Sequence, residues 1–118
     1  MKIAIIGTGN VGSALGGSFT RAGHEVTYAA QDAAKTRRIA AEVGAATAAD
    51  PGEAARWAEV IVLAVPYGAV EAVAGEIAPD AAGKVVVDVT NPLKPDFSGL
   101  ATDGGPSAAE RVAAKAPT

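Results

Sequence analysis

The chain contains no cysteine, and this absence excludes disulfide bonds, thiolate metal sites and a cysteine nucleophile. It contains a single histidine, His24, which argues against a histidine-based metal centre. His24 directly follows a glycine that is expected to end a helix, far from the expected site, so we expect no Ser-His-Asp catalytic set. Aromatic residues make up only 4% of the sequence, so we expect a core built from Val, Ile, Leu and Ala. We therefore predict no metal site.

Excess positive charge is also missing. The formal net charge is −3, the pI is about 5.0, and there is no basic stripe or tail, so we expect no nucleic-acid partner. No apolar run approaches the roughly 20 residues of a membrane span, and the first apolar run is too short for a signal-peptide core. These absences predict a soluble, cytoplasmic protein with no membrane partner.

Short, nearly continuous apolar runs are present at residues 2–6, 60–65 and 84–89, and such runs are typical of parallel strands buried on both faces. A more polar run at residues 24–29 and a short one near residue 46 predict two further strands. Apolar residues at helical spacing fill the intervals between the runs. The alternation predicts an α/β fold with a doubly wound parallel sheet of the Rossmann type, in strand order 3-2-1-4-5 without a sixth strand.

Several residues mark where the predicted helices begin and end. Asp50 as N-cap, Pro51 at the first helical position and Glu53 two residues later together predict a helix start. Asp32 is placed to cap the helix after the second strand. Gly44 predicts the end of that helix, because glycine readily takes the left-handed conformation found just after a helix.

The first strand runs into G-T-G-N-V-G and then into a helix, the order required of a dinucleotide-binding turn. The first glycine permits a tight turn, the second lets a pyrophosphate approach the backbone, and the third allows close packing of the helix. The helix start then offers unpaired N–H groups to the phosphates. The residues expected to bind the pyrophosphate are Gly7, Thr8, Gly9, Asn10, Val11 and Gly12.

The choice of dinucleotide depends on the end of the second strand. An NAD site usually carries an acidic residue there, roughly 20 residues after the glycines, but Ala30 and Gln31 occupy this position. Lys35, Arg37 and Arg38 follow, close enough in sequence for at least one of them to reach a 2′-phosphate. We therefore expect NADP, with NAD as the alternative, and we expect Ala30, Gln31 and Lys35 to line the adenosine end.

The nicotinamide end is expected beyond the fourth and fifth strands, because ligands of doubly wound sheets lie outside the carboxyl ends of the strands. Two short segments follow these strands, "AVPY" and "NP". No catalytic acid, base or nucleophile is assigned. The residues expected at the nicotinamide end are Ala64, Val65, Pro66, Tyr67, Asn91 and Pro92.

Four stretches carry a resemblance to a known family: "MKIAIIGTGNVGSALG", "GHEVTYAAQD", "AEVIVLAVPYGAVEAV" and "GKVVVDVTNPL". Together they resemble the NADP-dependent reductases of the deazaflavin coenzyme F420, and the wider group with the same N-terminal domain, which includes pyrroline-carboxylate reductases. The resemblance covers roughly residues 1–95. It implies a Rossmann domain that binds NADP(H) and passes a hydride directly between nicotinamide and deazaflavin, which needs alignment and exclusion of water more than an acid–base side chain.

The chain departs from this family at two places. The family usually has Ser-Arg where this chain has Ala30 and Gln31, and those two residues clamp the 2′-phosphate. The family also continues beyond the length of this chain, so we expect residues 1–92 to form the dinucleotide-binding domain and residues 93–118 to form a loop and a short C-terminal helix, truncated relative to the family. A sheet without its sixth strand exposes strand five as an edge, which predicts a homodimer.

Two other functions fit the same residues. The protein could be an NAD(P)-dependent reductase of a small imine or carbonyl substrate, although such enzymes need a helical second domain that nothing in this sequence supplies. It could also be a non-catalytic dinucleotide-binding subunit or redox sensor, which the shortened C-terminal region favours.

Overall fold

Strands and helices alternate along the chain in the computed structural model, which describes residues 1–89. The predicted loop and helix over residues 93–118 lie outside the described residues. No helix in the described part is both long enough and apolar enough to cross a membrane. The elements are β1 (Lys2–Ile6), α1 (Asn10–Arg21), β2 (Glu25–Ala29), α2 (Ala33–Val43), β3 (Ala46–Thr47), α3 (Pro51–Trp57), β4 (Val60–Leu63), a 3₁₀ turn (Tyr67–Ala69), α4 (Val70–Ala81) and β5 (Val85–Asp88).

The five strands form one parallel sheet in the order β3-β2-β1-β4-β5, which confirms the predicted doubly wound topology. β1 lies at the centre, with Ile5 paired to Tyr28 of β2 and Val62 of β4. The pairing continues past the strand, because the Gly7 N–H donates to the Ala29 carbonyl at 2.9 Å. The carboxyl ends of β1, β2 and β4 therefore meet at one edge of the sheet, directly beside the glycine turn.

β1 is buried on both faces because helices cover both sides of the sheet. Ile3 and Ile5 belong to the core beneath α1 and α2, whereas Ala4 and Ile6 belong to the core beneath α3 and α4. All four side chains are at most 4% exposed. Each buried isoleucine contributes roughly 1.5–3 kcal/mol, so the strand that leads into the glycine turn is among the most firmly held parts of the fold.

β5 differs from the prediction that it is buried on both faces. Val86 packs against the α3–α4 core, but Val85 and Val87 point to the other side and are 60% and 40% exposed. The reason is position: β5 is the edge strand, and no helix within residues 1–89 lies over that face. An apolar run in a sequence thus shows that a strand exists, but does not show that both of its faces are covered.

The predicted helix boundaries are confirmed. The Asp50 carboxylate accepts a hydrogen bond from the Glu53 N–H at 2.8 Å, and the Asp32 carboxylate accepts one from the Lys35 N–H at 3.0 Å. Gly44 ends α2 in the left-handed conformation, with φ at 79°. Both capping carboxylates therefore satisfy backbone donors of their own helices.

Candidate functional site

A cleft of about 920 Å³ opens at the carboxyl ends of β1 and β4, where the strand order of the sheet reverses. This volume lies within the roughly 300–1,000 Å³ typical of ligand sites. Eleven residues expected from the sequence to contact a dinucleotide line this one cleft: Gly7, Thr8, Gly9, Asn10, Val11, Ala30, Gln31, Lys35, Ala64, Val65 and Pro66.

Gly7 forms the tight turn at the floor of the cleft. Its φ is 117°, a conformation that side chains strongly disfavour, and a Cβ atom built on it would lie 2.2 Å from the Ala64 carbonyl oxygen. Gly12 is buried behind the turn and does not line the cleft. A Cβ on Gly12 would lie 2.4 Å from the Gly7 carbonyl oxygen. The expected close packing at Gly12 is therefore primarily against the turn itself, rather than against the sheet.

Gly9 is different, because a Cβ atom built on it would have no neighbour within 4 Å. It is the N-cap residue of α1, where no side chain caps the helix and the first turn carries no acidic residue. In contrast, α2 and α3 are capped by Asp32 and Asp50. The first N–H groups of α1 thus face the cleft together with the partial positive charge of the helix start, an arrangement that suits an anion.

Tyr28 is a residue of the site region that the sequence reading missed. Its side chain is fully buried, and its hydroxyl donates to the Gly12 carbonyl at 2.8 Å. A Cβ on Gly16 would lie 1.7 Å from the Tyr28 hydroxyl oxygen, so α1 carries glycine where this side chain passes. Burial raises the pKa of Tyr28 above its ordinary value of 10.0, against the opposing effect of a hydrogen bond with the Gly16 backbone. The sequence signal for this contact was the pair of glycines four residues apart in α1, Gly12 and Gly16, because they leave room for a large side chain against the helix.

Charges of both signs lie at the end of β2. Ala30, Gln31 and Lys35 line the cleft, and Asp32 lines it as well, although its carboxylate also caps α2. Arg37 lines an adjoining pocket of about 190 Å³ that shares Ala30 with the cleft. This end of the cleft therefore carries the cations of Lys35 and Arg37 beside the carboxylate of Asp32.

The opposite end of the cleft follows β4. Ala64, Val65 and Pro66 line it, and Tyr67 begins the 3₁₀ turn directly after them. Asn91 and Pro92 lie outside the described residues. Part of the wall was not predicted. Several of its residues come from α3, α4 and the segments before them, which reach the cleft only through the packing of these helices on the sheet. The unpredicted lining residues are Ile6, Asp32, Ala49, Asp50, Pro51, Ala69, Val73, Glu76 and Val89.

The family model described as "NADP oxidoreductase coenzyme F420-dependent" matches residues 2–92 of the chain. An F420-dependent NADP reductase of Methanothermobacter marburgensis is 37% identical over 128 residues, covering 96% of this chain and 56% of the reductase. Among solved structures, an Arthrobacter protein named as an F420-dependent NADP reductase is similar with a TM-score of 0.81 and 27% identity, over 99% of this chain and 58% of that one. An imine reductase of Myxococcus stipitatus in complex with NADP+ has a TM-score of 0.71 and 26% identity, over 79% of this chain and 33% of that one. The chain spans about half the length of the curated relatives it matches.

Replacement by alanine should affect the free energy of unfolding very differently at Gly7 and at Gly9. Gly7→Ala should lower the free energy of unfolding by roughly 2 kcal/mol or more, because of its positive φ and the contact with Ala64. Gly9→Ala should lower it by no more than about 1 kcal/mol, because alanine is a poorer N-cap than glycine but the φ of −72° suits it and the space is open. Denaturant unfolding measures both values, and equal losses would contradict this account of the turn.

Proposed function

The chain belongs to the family of coenzyme F420-dependent NADP oxidoreductases, and on that premise we propose that its cleft binds NADP(H) for hydride exchange with coenzyme F420. The single observation that supports binding is the open, uncapped glycine turn at the point where the strand order reverses. In this proposal residues 1–92 form the dinucleotide-binding domain. The cytoplasmic location expected from the sequence stays a prediction.

The pyrophosphate fits the space over Gly9. A side chain is absent there although the backbone conformation would allow one, so the opening is available to a ligand group. In the proposed complex the N–H groups of Asn10 and Val11 donate to the phosphate oxygens, and Thr8 lies beside them on the cleft wall. Gly12 supports this turn from behind, through its close packing against Gly7. The dinucleotide then runs from Ala30 at the end of β2 to Pro66 beyond β4.

The proposed reaction needs positioning more than proton transfer. NADP(H) supplies a hydride at its nicotinamide ring, and the protein's part is to hold that ring and to exclude water. Ala64, Val65 and Pro66 form the apolar strip on which the ring would lie. Of the three carboxylates of the cleft wall, Asp32 and Asp50 are already engaged as helix caps, and the third belongs to Glu76 of α4. The absence of an assigned catalytic acid is thus compatible with direct hydride transfer.

Titration of the purified chain with NADPH, followed by calorimetry, tests the binding step. We expect saturable binding with a dissociation constant below about 1 mM, and at least a tenfold weaker affinity in the stably folded Gly9→Ala variant, because its methyl group enters the pyrophosphate space. No binding at millimolar NADPH would reject the proposal. Reduction of a small cyclic imine, with none of F420, would favour the second candidate, which the similarity to the imine reductase supports.

The preference for NADP over NAD would depend on Lys35 and Arg37 near the end of β2, because the Ser-Arg pair usual in the family is replaced by other residues here. Lys35 lines the cleft and Arg37 lines the adjoining pocket, but Asp32 adds a negative charge beside them. A 2′-phosphate placed here would gain from the cations and lose to the carboxylate. We therefore propose that this chain prefers NADP, but less strongly than it would with Ser-Arg at positions 30 and 31.

The double variant Ala30→Ser and Gln31→Arg tests this preference. A hydroxyl and a guanidinium should add hydrogen bonds to the 2′-phosphate, so the ratio of NADH to NADPH dissociation constants should rise by about tenfold. Ala41→Arg, an exposed position near the end of α2, adds the same charge away from the site and serves as the control. An unchanged ratio in the double variant would place the 2′-phosphate elsewhere.

We also propose a homodimer that covers the exposed face of β5. Val85 and Val87 place apolar side chains on an edge strand, and such edges are usually paired or covered. Light scattering should give twice the chain mass of 11.6 kDa, and Val85→Lys should restore the monomer mass whereas Ala41→Lys should not. A monomeric wild-type protein in dilute solution would reject this proposal.

A further inference from the structure

We propose that Tyr28 is a positioning residue, whose buried hydroxyl fixes the first turn of α1 in the geometry that receives a pyrophosphate. The inference rests on the proposed function, because it assumes that the cleft takes a dinucleotide. Tyr28 lies in β2 and contacts no part of the cleft itself; it is absent from the lining residues. Its effect would pass through the backbone of α1.

The hydroxyl reaches α1 at the turn that matters for binding. It donates to the Gly12 carbonyl at 2.8 Å and lies 3.4 Å from the Ser13 carbonyl, across sequence separations of 16 and 15 residues. Gly12 is the last glycine of the dinucleotide motif, and its carbonyl belongs to the same turn as the N–H groups that face the cleft. The hydrogen bond thus ties this turn to the sheet.

The ring of Tyr28 is itself held rigidly, so the hydroxyl is a fixed point. The side chain is fully buried, and its residue pairs with Ile5 on one side and Thr47 on the other. α1 accepts the ring only because Gly16 has no side chain, since a Cβ there would lie 1.7 Å from the hydroxyl oxygen. Phenylalanine would fill the same space, so the hydroxyl is the group that requires an explanation.

The first turn of α1 is otherwise held from outside by the close backbone packing of Gly12 against Gly7. Its N-cap Gly9 offers no side chain, in contrast to the aspartates that cap α2 and α3. Within the turn, the Ser13 hydroxyl donates to the Thr8 carbonyl at 3.1 Å and the Ser13 N–H donates to the Gly9 carbonyl at 2.9 Å. These bonds hold the turn to itself, whereas Tyr28 holds it to the sheet.

The functional consequence is preorganisation. A ligand that binds an already ordered turn does not lose affinity to ordering it, so a fixed α1 start increases the affinity for a pyrophosphate. A purely structural hydroxyl would affect the stability of the fold and leave the affinity of the folded protein unchanged. The two roles therefore predict different measurements on the same variant.

The test compares Tyr28→Phe with Thr20→Val in the full chain. Thr20 donates its hydroxyl to the Gly16 carbonyl at 2.7 Å, so its variant also removes one hydroxyl bond to an α1 carbonyl, but one turn farther from the cleft. We expect Tyr28→Phe to raise the NADPH dissociation constant by about tenfold and Thr20→Val to leave it within about twofold. Equal dissociation constants in the two variants would overturn the inference.

A measurement without ligand separates this inference from the proposed function. Exchange of the Ser13 amide proton, followed by NMR, reports opening of the first turn, and it should be about tenfold faster in Tyr28→Phe and unchanged in Thr20→Val. If the wild type binds no NADPH, the proposed function fails, and unchanged exchange in Tyr28→Phe would overturn the role of Tyr28 separately.

A second variant displaces the hydroxyl instead of removing it. Gly16→Ala pushes on the hydroxyl from the helix side and should also weaken NADPH binding by about tenfold. Gly75→Ala in α4 is the matched control, because its Cβ would have no neighbour within 4 Å. NADPH binding in Gly16→Ala as tight as in Gly75→Ala would overturn the inference.

Discussion

The close approach of the glycine turn to the carboxyl end of β4 is the contact on which the rest of the site depends. At Gly7 the backbone lies so near the Ala64 carbonyl that a Cβ atom would be 2.2 Å away, and at Gly12 the backbone lies equally near Gly7. Because no side chain intervenes at these positions, α1 begins directly over the point where the strand order reverses. The cleft is the space that remains between this helix start and the ends of β2 and β4.

The surrounding fold supports that contact from both sides of the sheet. β1 alternates its side chains between two cores, with Ile5 beneath α1 and α2 and Ile6 beneath α3 and α4. Burial on both faces leaves the strand little freedom, so the turn that follows starts from a fixed point. Tyr28 adds a link between β2 and α1. Glycine has more backbone freedom than any other residue, but the position of this turn is fixed by the buried strand before it and by the link from Tyr28.

The helix starts around the cleft differ in whether a carboxylate caps them, and this difference decides where an anion could bind. Asp32 and Asp50 satisfy the starts of α2 and α3 with carboxylates, whereas the start of α1 has no such cap. The uncapped start of α1 therefore faces a wall with three carboxylates, of which Asp32 and Asp50 are engaged as helix caps and the third belongs to Glu76. Such a wall favours a ligand whose negative charge is concentrated at the glycine turn, as in a dinucleotide pyrophosphate.

Local sequence determined most of the fold and the form of the glycine turn. The order of strands and helices, the caps at Asp32 and Asp50 and the roles of Gly7 and Gly9 follow from periodicity, hydrogen-bonding side chains and backbone freedom within a few residues. The family model matches residues 2–92, the part of the chain that carries this pattern.

Only the tertiary structure decided what depends on contacts between distant segments. It showed that β5 is covered on one face, because strand order and not composition makes it an edge. It placed Glu76 of α4 in the wall of the cleft and brought Tyr28 against Gly12 and Gly16. A sequence pattern records which residues share a face of one element, whereas the partner of that face is set by how the elements pack.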